Sequence, residues 1–317
     1  MPTSITTAIP SGLQHEISFE NQRAVITEVG ATLRSYAVDG ADVVDGFDVG
    51  EMSLAGRGQI LAPWPNRLED GRYTRYDKEG RAALDEPERR NAIHGLVRWL
   101  PWQLSSRTEG GNAVTLGCVL HPQPAYPWLL ELQVSYRLAP DGLTITAKAT
   151  NRSDGPAPFG IGFHPYLTVG ASLDEVLLEV PARRHMATDE RGLPTTDEPV
   201  QGTPFDFGTR RAIGATVMDT CFTDLVRGDD GVVRASVDGP GERSASVWAG
   251  RGFDYLMVYT GDTLEPALRR RRGIAIEPMT CPANAFRSGL GVLRLQPDRA
   301  WTGAWGIANR TEGGDRA

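Results

Sequence analysis

The chain has 317 residues, of which 40% are hydrophobic and 23% charged, and its formal net charge is −7. This length is enough for a large core without disulfide or metal support, and the acidic balance excludes the basic surface that sequence-independent nucleic-acid binding requires. Three cysteines without a CxxC pair, together with the lack of a signal peptide or membrane-length apolar segment, predict a cytoplasmic protein with no membrane partner.

Short alternating apolar runs between turn residues predict an all-β fold. Glycine (36 residues) and proline (22 residues) are frequent, and no βαβ alternation or glycine-rich phosphate loop occurs. We predict a large antiparallel β-sandwich that forms a single domain over residues 1–317. The predicted strands are 24–29, 32–38, 114–119, 130–138, 143–149, 176–180, 255–259, 273–276, 289–295 and 301–305. The segments 85–90, 188–208 and 227–234 are predicted to be loops.

The segment ILAPWPNRLEDG places Asn66 and Arg67 directly after two prolines and a tryptophan. Proline stiffens the backbone, so the amide and the planar guanidinium are held on a low-entropy segment, where Arg67 could bind hydroxyl or carboxylate groups. A salt bridge from Arg67 to Glu69 or Asp70 explains the same spacing, and the residues alone leave both interpretations open.

Two of the five histidines lie beside glycine or proline in apolar segments. His94 stands in NAIHGL and His164 in FGIGFHPYL, and each is a candidate acid or base. Each is equally explained as a core histidine that is hydrogen-bonded to the backbone. His15, His121 and His185 occur in polar or proline-broken segments, and we predict that they lie on the surface.

Asp219 lies in the apolar run VMDTCF, where a carboxylate needs a partner or caps a turn. Further along the chain, the run Arg269–Arg272 could bind an anionic substituent such as a phosphate or sulfonate. A solvated loop whose charge is offset by Glu265 is the favoured interpretation of this run.

Glu277 is the lone carboxylate of the apolar run GIAIEPMTCP. Because Pro278 has no N–H group to donate, the strand is predicted to end there and Glu277 to lie at its mouth. A carboxylate held in such a place needs donors or has a raised pKa, and either condition suits a general acid or base. A strand-end glutamate that faces water is the alternative.

Five segments, NRLEDGRY, NAIHGL, GFHPYL, MDTCF and AIEPMT, together resemble the aldose 1-epimerase (galactose mutarotase-like) family in their order and gaps. The resemblance extends from about Thr27 to Ile307. Leu68 and Leu167 depart from it at positions where isoleucine and an aromatic residue are common, which concerns substrate fit more than catalysis.

The resemblance implies a supersandwich with few short helices and an open sugar-binding cleft. It also implies an isomerase that interconverts the α and β anomers of a hexose without metal or cofactor, and whose partner is a monosaccharide. Glu277 resembles the catalytic base, His164 the catalytic acid and His94 the second active-site histidine. Arg67 and Asp219, with Asn66 beside them, resemble residues that hold sugar hydroxyls.

Four alternatives remain open at this point. A mutarotase of the same fold could act on an anionic hexose, and a non-catalytic protein could only bind the sugar. A glycosidase would need Glu277 and Asp219 as its pair of carboxyl groups. A metal enzyme would need His94, His164 and Glu277 as ligands, although their wide spacing in the sequence disfavours this.

Overall fold

The computed structural model of the chain describes residues 9–241, 243–265 and 270–310, and within them nearly all regular structure is antiparallel β-sheet. The predicted all-β fold class is therefore confirmed. Helical structure in the described residues consists of the 3₁₀ segments Pro87–Arg89 and Leu173–Glu175 and the four-residue helix α1 (Ala285–Ser288). No helix of this described part has the length and apolar character needed to span a membrane.

The longest strands lie in the last two thirds of the chain. The first are β1 (Gln14–Phe19), β2 (Gln22–Thr27), β3 (Leu33–Val38), β4 (Ala41–Asp42), β5 (Ile60–Leu61), β6 (Arg67–Glu69), β7 (Arg72–Arg75), β8 (Lys78–Arg81) and β9 (Asn91–Ile93). Next come β10 (Gln103–Arg107), β11 (Ala113–Leu120), β12 (Leu130–Ala139), β13 (Gly142–Asn151), β14 (Ala157–Phe159), β15 (Gly162–Phe163), β16 (Tyr166–Leu167), β17 (Leu177–Glu179) and β18 (Ala182–Thr188). The last are β19 (Pro194–Pro199), β20 (Arg211–Ala212), β21 (Asp219–Leu225), β22 (Val233–Asp238), β23 (Ser244–Ala249), β24 (Tyr255–Tyr259), β25 (Ile274–Met279), β26 (Leu293–Leu295) and β27 (Ala300–Arg310).

Two large sheets dominate the described structure. One has nine strands in the order β10-β11-β12-β13-β27-β23-β22-β17-β20. The other has eight strands, with the order β19-β18-β21-β24-β25-β15-β5 and with β16 also paired to β25. A smaller sheet has the order β1-β2-β3-β4, and the remaining pairs are β14-β26, β6-β9 and β7-β8.

The core lies between the two large sheets. Phe163 of β15 meets Trp305 of β27, with ring centroids 5.0 Å apart, so the inner faces of the sheets are in direct contact. Ile276 of β25 belongs to the same buried cluster. Because successive side chains of a strand point to opposite faces, His164 and Glu277 must lie on the other face of the eight-stranded sheet. The apolar partners thus direct both reactive groups away from the core.

Strand β25 does not end where the sequence predicted. It continues through Glu277 and Pro278 to Met279, so the prediction of a strand mouth at Glu277 is wrong. The N–H groups of Ile276 and Thr280 donate to carbonyl groups on the β15 side. Pro278 lies midway between them and faces the same side, so its missing N–H removes no hydrogen bond to β24. The ladder between β24 and β25 therefore passes through the proline intact.

The predicted strands 130–138 and 143–149 are confirmed, and they form a hairpin that turns at Pro140 and Asp141. Strands β12 and β13 pair from Leu130–Asn151 to Ala139–Gly142, and their buried residues alternate along most of their length. Two other predictions are wrong. The predicted loop 188–208 contains β19, and the predicted strand 289–295 is regular only from Leu293, because Gly289 and Gly291 adopt positive φ angles.

Two of the three histidines predicted to lie on the surface are buried. His15 shares one face of β1 with the core residue Ile17, and burial lowers the pKa of this imidazole. His185 of β18 is buried against Phe205, with ring centroids 4.9 Å apart. His121 is exposed, as predicted. The period of two in QHEISF was the available signal for His15, since alternate residues of a strand share a face.

We expect Ile145→Ala to lower the free energy of unfolding by about 2–5 kcal/mol, because it opens a cavity in the buried face of β13. Val119→Ala on β11 of the same sheet is the control, since Val119 is 45% exposed and its truncation should cost about 0.5 kcal/mol or less. Denaturation in urea measures both values, and equal losses would contradict the placement of the core.

Candidate active site

The central feature of the site is a contact between His164 and Glu277. Nε2 of the imidazole lies 3.3 Å from Oε1 of the carboxyl group, and both side chains are almost fully buried. The β15–β25 register pairs Gly162 with Met279, and two residues further along it brings His164 opposite Glu277 on the same face. The sheet itself therefore sets the distance between the two groups.

Burial moves the pKa values of the two groups in opposite directions. Loss of hydration raises the pKa of Glu277 well above its usual value, with a further contribution from the charge of Asp219 that Arg67 opposes. Loss of hydration also lowers the pKa of His164 to about 3. Both shifts favour uncharged forms, so the pair as folded is a carboxylic acid beside a neutral imidazole.

The imidazole of His164 is held on two sides. Its ring stacks on Tyr166, with centroids 5.0 Å apart and planes 13° apart, and the Tyr166 hydroxyl donates to the carbonyl of Ala55. On the other side lies Gly56, where an added Cβ would stand 2.4 Å from Cδ2 of the ring. Glycine at this position therefore allows the backbone to approach the imidazole closely.

His94 is fixed by a reciprocal pair of hydrogen bonds with Asn66. The backbone N–H of Asn66 donates to Nδ1 of His94, and the backbone N–H of His94 donates to the carbonyl of Asn66. Both residues adopt positive φ angles, 57° and 64°. Because Nδ1 accepts a hydrogen bond, a neutral His94 carries its proton on Nε2, and burial keeps it neutral by lowering its pKa. His94 therefore offers an N–H donor.

Arg67 is clamped between two carboxylates. Its Nε lies 3.0 Å from Oε2 of Glu86, and its Nη1 lies 3.2 Å from Oδ2 of Asp219. Neither Glu69 nor Asp70, the partners considered from the sequence, pairs with it; they pair with other arginines, among them Arg191. The clamp fixes the guanidinium and orients Asp219, a half-exposed carboxylate whose Oδ2 is held by Arg67.

These side chains line one pocket of about 670 Å³. All of the site residues predicted from the sequence contribute to it, namely Asn66, Arg67, His94, His164, Asp219 and Glu277. Trp99, which is 49% exposed, lies at the edge, and its ring faces the guanidinium of Arg98 at 5.2 Å. The volume suits a small ligand, and the lining supplies several hydrogen-bonding groups around the reactive pair.

The sequence analysis missed several lining residues, of which Glu86 and Gln59 are the most informative. Glu86 lies in the segment 85–90, which was interpreted only as a loop between strands, yet it supplies half of the clamp on Arg67. Gln59 also lines the pocket. Its signal was available, since it is an isolated polar side chain in the apolar run GQILAPW.

The arginine run before β25 does not reach the pocket in the described residues. Arg271 binds Asp262 and Asp174, while Arg270 and Arg272 are exposed and do not line the cavity. Arg269 lies outside the described residues. Within that described part, no group of three or more His, Cys, Asp or Glu side chains is placed to hold a metal ion.

Comparison with known proteins identifies the family to which the chain belongs. A family model described as aldose 1-epimerase matches residues 14–307. The uncharacterized protein YihR of Escherichia coli K12 is 35% identical over 294 residues, which cover 92% of each chain.

Solved structures share the fold. An aldose epimerase homologue from C. elegans superposes with a TM-score of 0.82 at 16% identity, covering 94% of this chain and 98% of that one. A galactose 1-epimerase from Lactobacillus acidophilus gives a TM-score of 0.75 at 19% identity, covering 93% of each chain. At these identities the likeness shows a common fold.

Gly56→Ala should displace His164, because the new Cβ would overlap the imidazole. Gly40→Ala is the matched control, since Gly40 has a similar φ of 74° against 77° at Gly56 but no atom within 4 Å of an added Cβ. Both changes should cost about 1–2 kcal/mol for the left-handed backbone. Only Gly56→Ala should shift the NMR signal of the His164 ring, and an unchanged signal would contradict the close approach.

The buried imidazole also predicts a pH dependence of stability. The unfolded chain binds a proton at His164 near pH 6.5 and the folded chain only near pH 3, so between these values the unfolded state binds more protons. The contribution of His164 to the free energy of unfolding should therefore fall as the pH is lowered through this window, whereas the raised pKa of Glu277 contributes in the opposite direction. His164→Asn should reduce the slope and His121→Asn, at an exposed position, should not; urea denaturation at several pH values measures it. Equal slopes would show that His164 is not held neutral.

Proposed function

Because the chain belongs to the aldose 1-epimerase family, we propose that it interconverts the α and β anomers of a hexose by acid–base opening and reclosure of the sugar ring. The observation that carries this proposal is the 3.3 Å contact between His164 Nε2 and Glu277 Oε1 in a pocket of hydrogen-bonding side chains. Anomerisation needs one proton removed from the C1 hydroxyl and one added to the ring oxygen. Both oxygens are bonded to C1, so two adjacent groups can serve them.

The pair needs one mobile proton for the whole reaction. In ring opening, the Glu277 carboxylate takes the proton of the C1 hydroxyl while the His164 imidazolium gives its proton to the ring oxygen as the C1–O5 bond breaks. The products are an open-chain aldehyde, a carboxylic acid and a neutral imidazole. Rotation about C1–C2 presents the other face of the aldehyde, and the reverse proton transfers close the ring.

The opposed pKa shifts favour the state that follows ring opening. That state is the neutral pair, which is also the form favoured by burial in the folded protein. The pair holds one proton in each state, and before ring opening that proton must lie on His164. Hydrogen bonds from the sugar hydroxyls to the carboxylate would supply the polar surroundings that this charged form requires. The protein then alternates between two forms with equal net charge, and no proton has to cross the apolar core.

The remaining polar groups serve to orient the sugar. Arg67 binds Oδ2 of Asp219, so we assign Oδ1 as the acceptor for a ring hydroxyl. The Nε2–H group of His94 is a donor for another hydroxyl, since Nδ1 is bonded to Asn66. The role of Asn66 is then to fix His94 and, through its side chain, the Arg67 backbone. Several fixed donors and acceptors around one ring keep C1 at the reactive pair while C1–C2 rotates.

Glu277→Gln and His164→Asn should each lower the rate of anomerisation at least 100-fold, because a positioned acid or base contributes about 10²–10⁴-fold. Polarimetry of freshly dissolved α-glucose and α-galactose measures the rate, and circular dichroism verifies folding. His121→Asn, at an exposed position outside the pocket, is the control and should retain full activity. Near-normal rates in either site variant would remove that residue from the mechanism.

Polarimetry of the unmodified protein separates the proposed enzyme from a sugar-binding protein of the same fold. An enzyme accelerates equilibration of either pure anomer toward the same final rotation, whereas a binding protein leaves the rate at its uncatalysed value. The latter result with both hexoses, together with saturable sugar binding, would contradict the proposal.

A further inference from the structure

Gln59 is a buried amide beside the reactive pair whose polar atoms are not satisfied by the described protein. The residue is 1% exposed, and neither Oε1 nor Nε2 has a hydrogen-bond partner among the described residues. The same residue lines the pocket. A buried amide without partners is costly in a folded protein, so a side chain of this kind facing a pocket indicates a group that binds there.

The sheet register places Gln59 in line with the two reactive residues. Strand β5 pairs with β15 as Ile60–Phe163 and Leu61–Gly162, and the next step brings Gln59 opposite His164. The backbone confirms this step, since the N–H of His164 donates to the carbonyl of Gln59 at 3.1 Å. Gln59, His164 and Glu277 therefore form one row on one face of the sheet, which we call the reactive row. Neighbouring members are separated by about 4.8 Å of strand spacing.

We propose that Gln59 is a specificity-determining residue that binds the oxygen carried by C6 of the hexose, an assignment that rests on the proposed function. In that function Glu277 serves O1 and His164 serves the ring oxygen O5. Covalent connectivity continues from O5 through C5 to C6 and its oxygen. Gln59 lies one strand beyond His164, on the side away from Glu277. The C6 oxygen is likewise the next oxygen beyond O5 in the sugar, so Gln59 is matched to it.

The amide suits an oxygen at this position. Its Nε2–H₂ group donates to a hydroxyl or to an oxyanion alike, while its Oε1 accepts only from a group with a proton. A C6 hydroxyl thus satisfies both atoms of the amide, and a phosphate or sulfonate oxygen satisfies the donor. A sugar without an oxygen at C6 leaves the amide unpaired, which is the situation in which a polar pocket rejects an analogue.

The backbone hydrogen bond between His164 and Gln59 allows the side chain of Gln59 to be tested separately from its main chain. Because the His164 N–H donates to the main-chain carbonyl of Gln59, replacing the amide side chain leaves that bond in place. Gln59→Leu removes both polar atoms and leaves an apolar side chain that is one bond shorter. Gln103→Leu, at an exposed position on β10, is the matched control for the same substitution in a sheet.

The experiment compares kcat/KM by polarimetry for glucose and 6-deoxyglucose, and for galactose and 6-deoxygalactose, in the natural protein and both variants. We expect Gln59→Leu to lower kcat/KM for the accepted hexose about tenfold and that for its 6-deoxy analogue less than about twofold. Gln103→Leu should change neither. Glucose 6-phosphate serves as an additional substrate, and a loss confined to it would identify an oxyanion as the group bound.

The outcomes separate this assignment from the proposed function. If the natural protein accelerates the anomerisation of none of these sugars, the proposed function is wrong. If it is active and Gln59→Leu slows neither the hexose nor glucose 6-phosphate more than it slows the 6-deoxy analogue, Gln59 does not bind the C6 oxygen. Retained preference for the C6 oxygen in Gln59→Leu would overturn the assignment in the same way.

Discussion

The structure depends on burying two ionisable groups side by side on a sheet whose other face is core. Phe163 and Ile276 point toward Trp305 and the interior, and the alternation of the strands then directs His164 and Glu277 to the opposite face. The desolvation of such groups is costly unless the pair stays neutral overall. Sharing one proton meets this requirement, and it also makes the proton available to a ligand. The packing of the core and the acid–base character of the pocket thus have the same origin.

A second layer of interactions holds the groups that surround this pair. Glu86 directly precedes the 3₁₀ segment Pro87–Arg89, and Arg67 lies in a two-stranded ribbon. Their ion pair joins both to Asp219 at the start of β21. Asn66 and His94 both adopt positive φ angles, and the backbone N–H of each donates to the other, to the His94 Nδ1 atom and to the Asn66 carbonyl. One wall of the pocket is thus a rigid sheet, and the facing wall is made of loops that ion pairs and tight turns hold in place.

The sequence predicted the family, the antiparallel fold class and six of the polar residues that line the pocket, but not Glu86 or Gln59; the family is confirmed by the match over residues 14–307. Glu277 and His164 were recognisable because a polar side chain in an apolar run needs a reason. What could not be predicted was pairing across the sheet. The adjacency of Gln59, His164 and Glu277 follows from register between distant strands, and a local pattern carries no information about it. The interruption expected at Pro278 was wrong for a similar reason, because only the sheet shows which side a missing N–H faces.

The reactive row has a consequence for folding. Its members come from β5, β15 and β25 or their ends, so the row joins residues separated by more than one hundred positions on each side of His164. Contacts of such long range form late, after the loop-closure entropy of the intervening chain has been overcome. A nascent chain whose last strands have not yet been synthesised can form its early hairpins but cannot assemble the pocket. An assembled pocket therefore reports completion of the whole sheet, and not of any part of it.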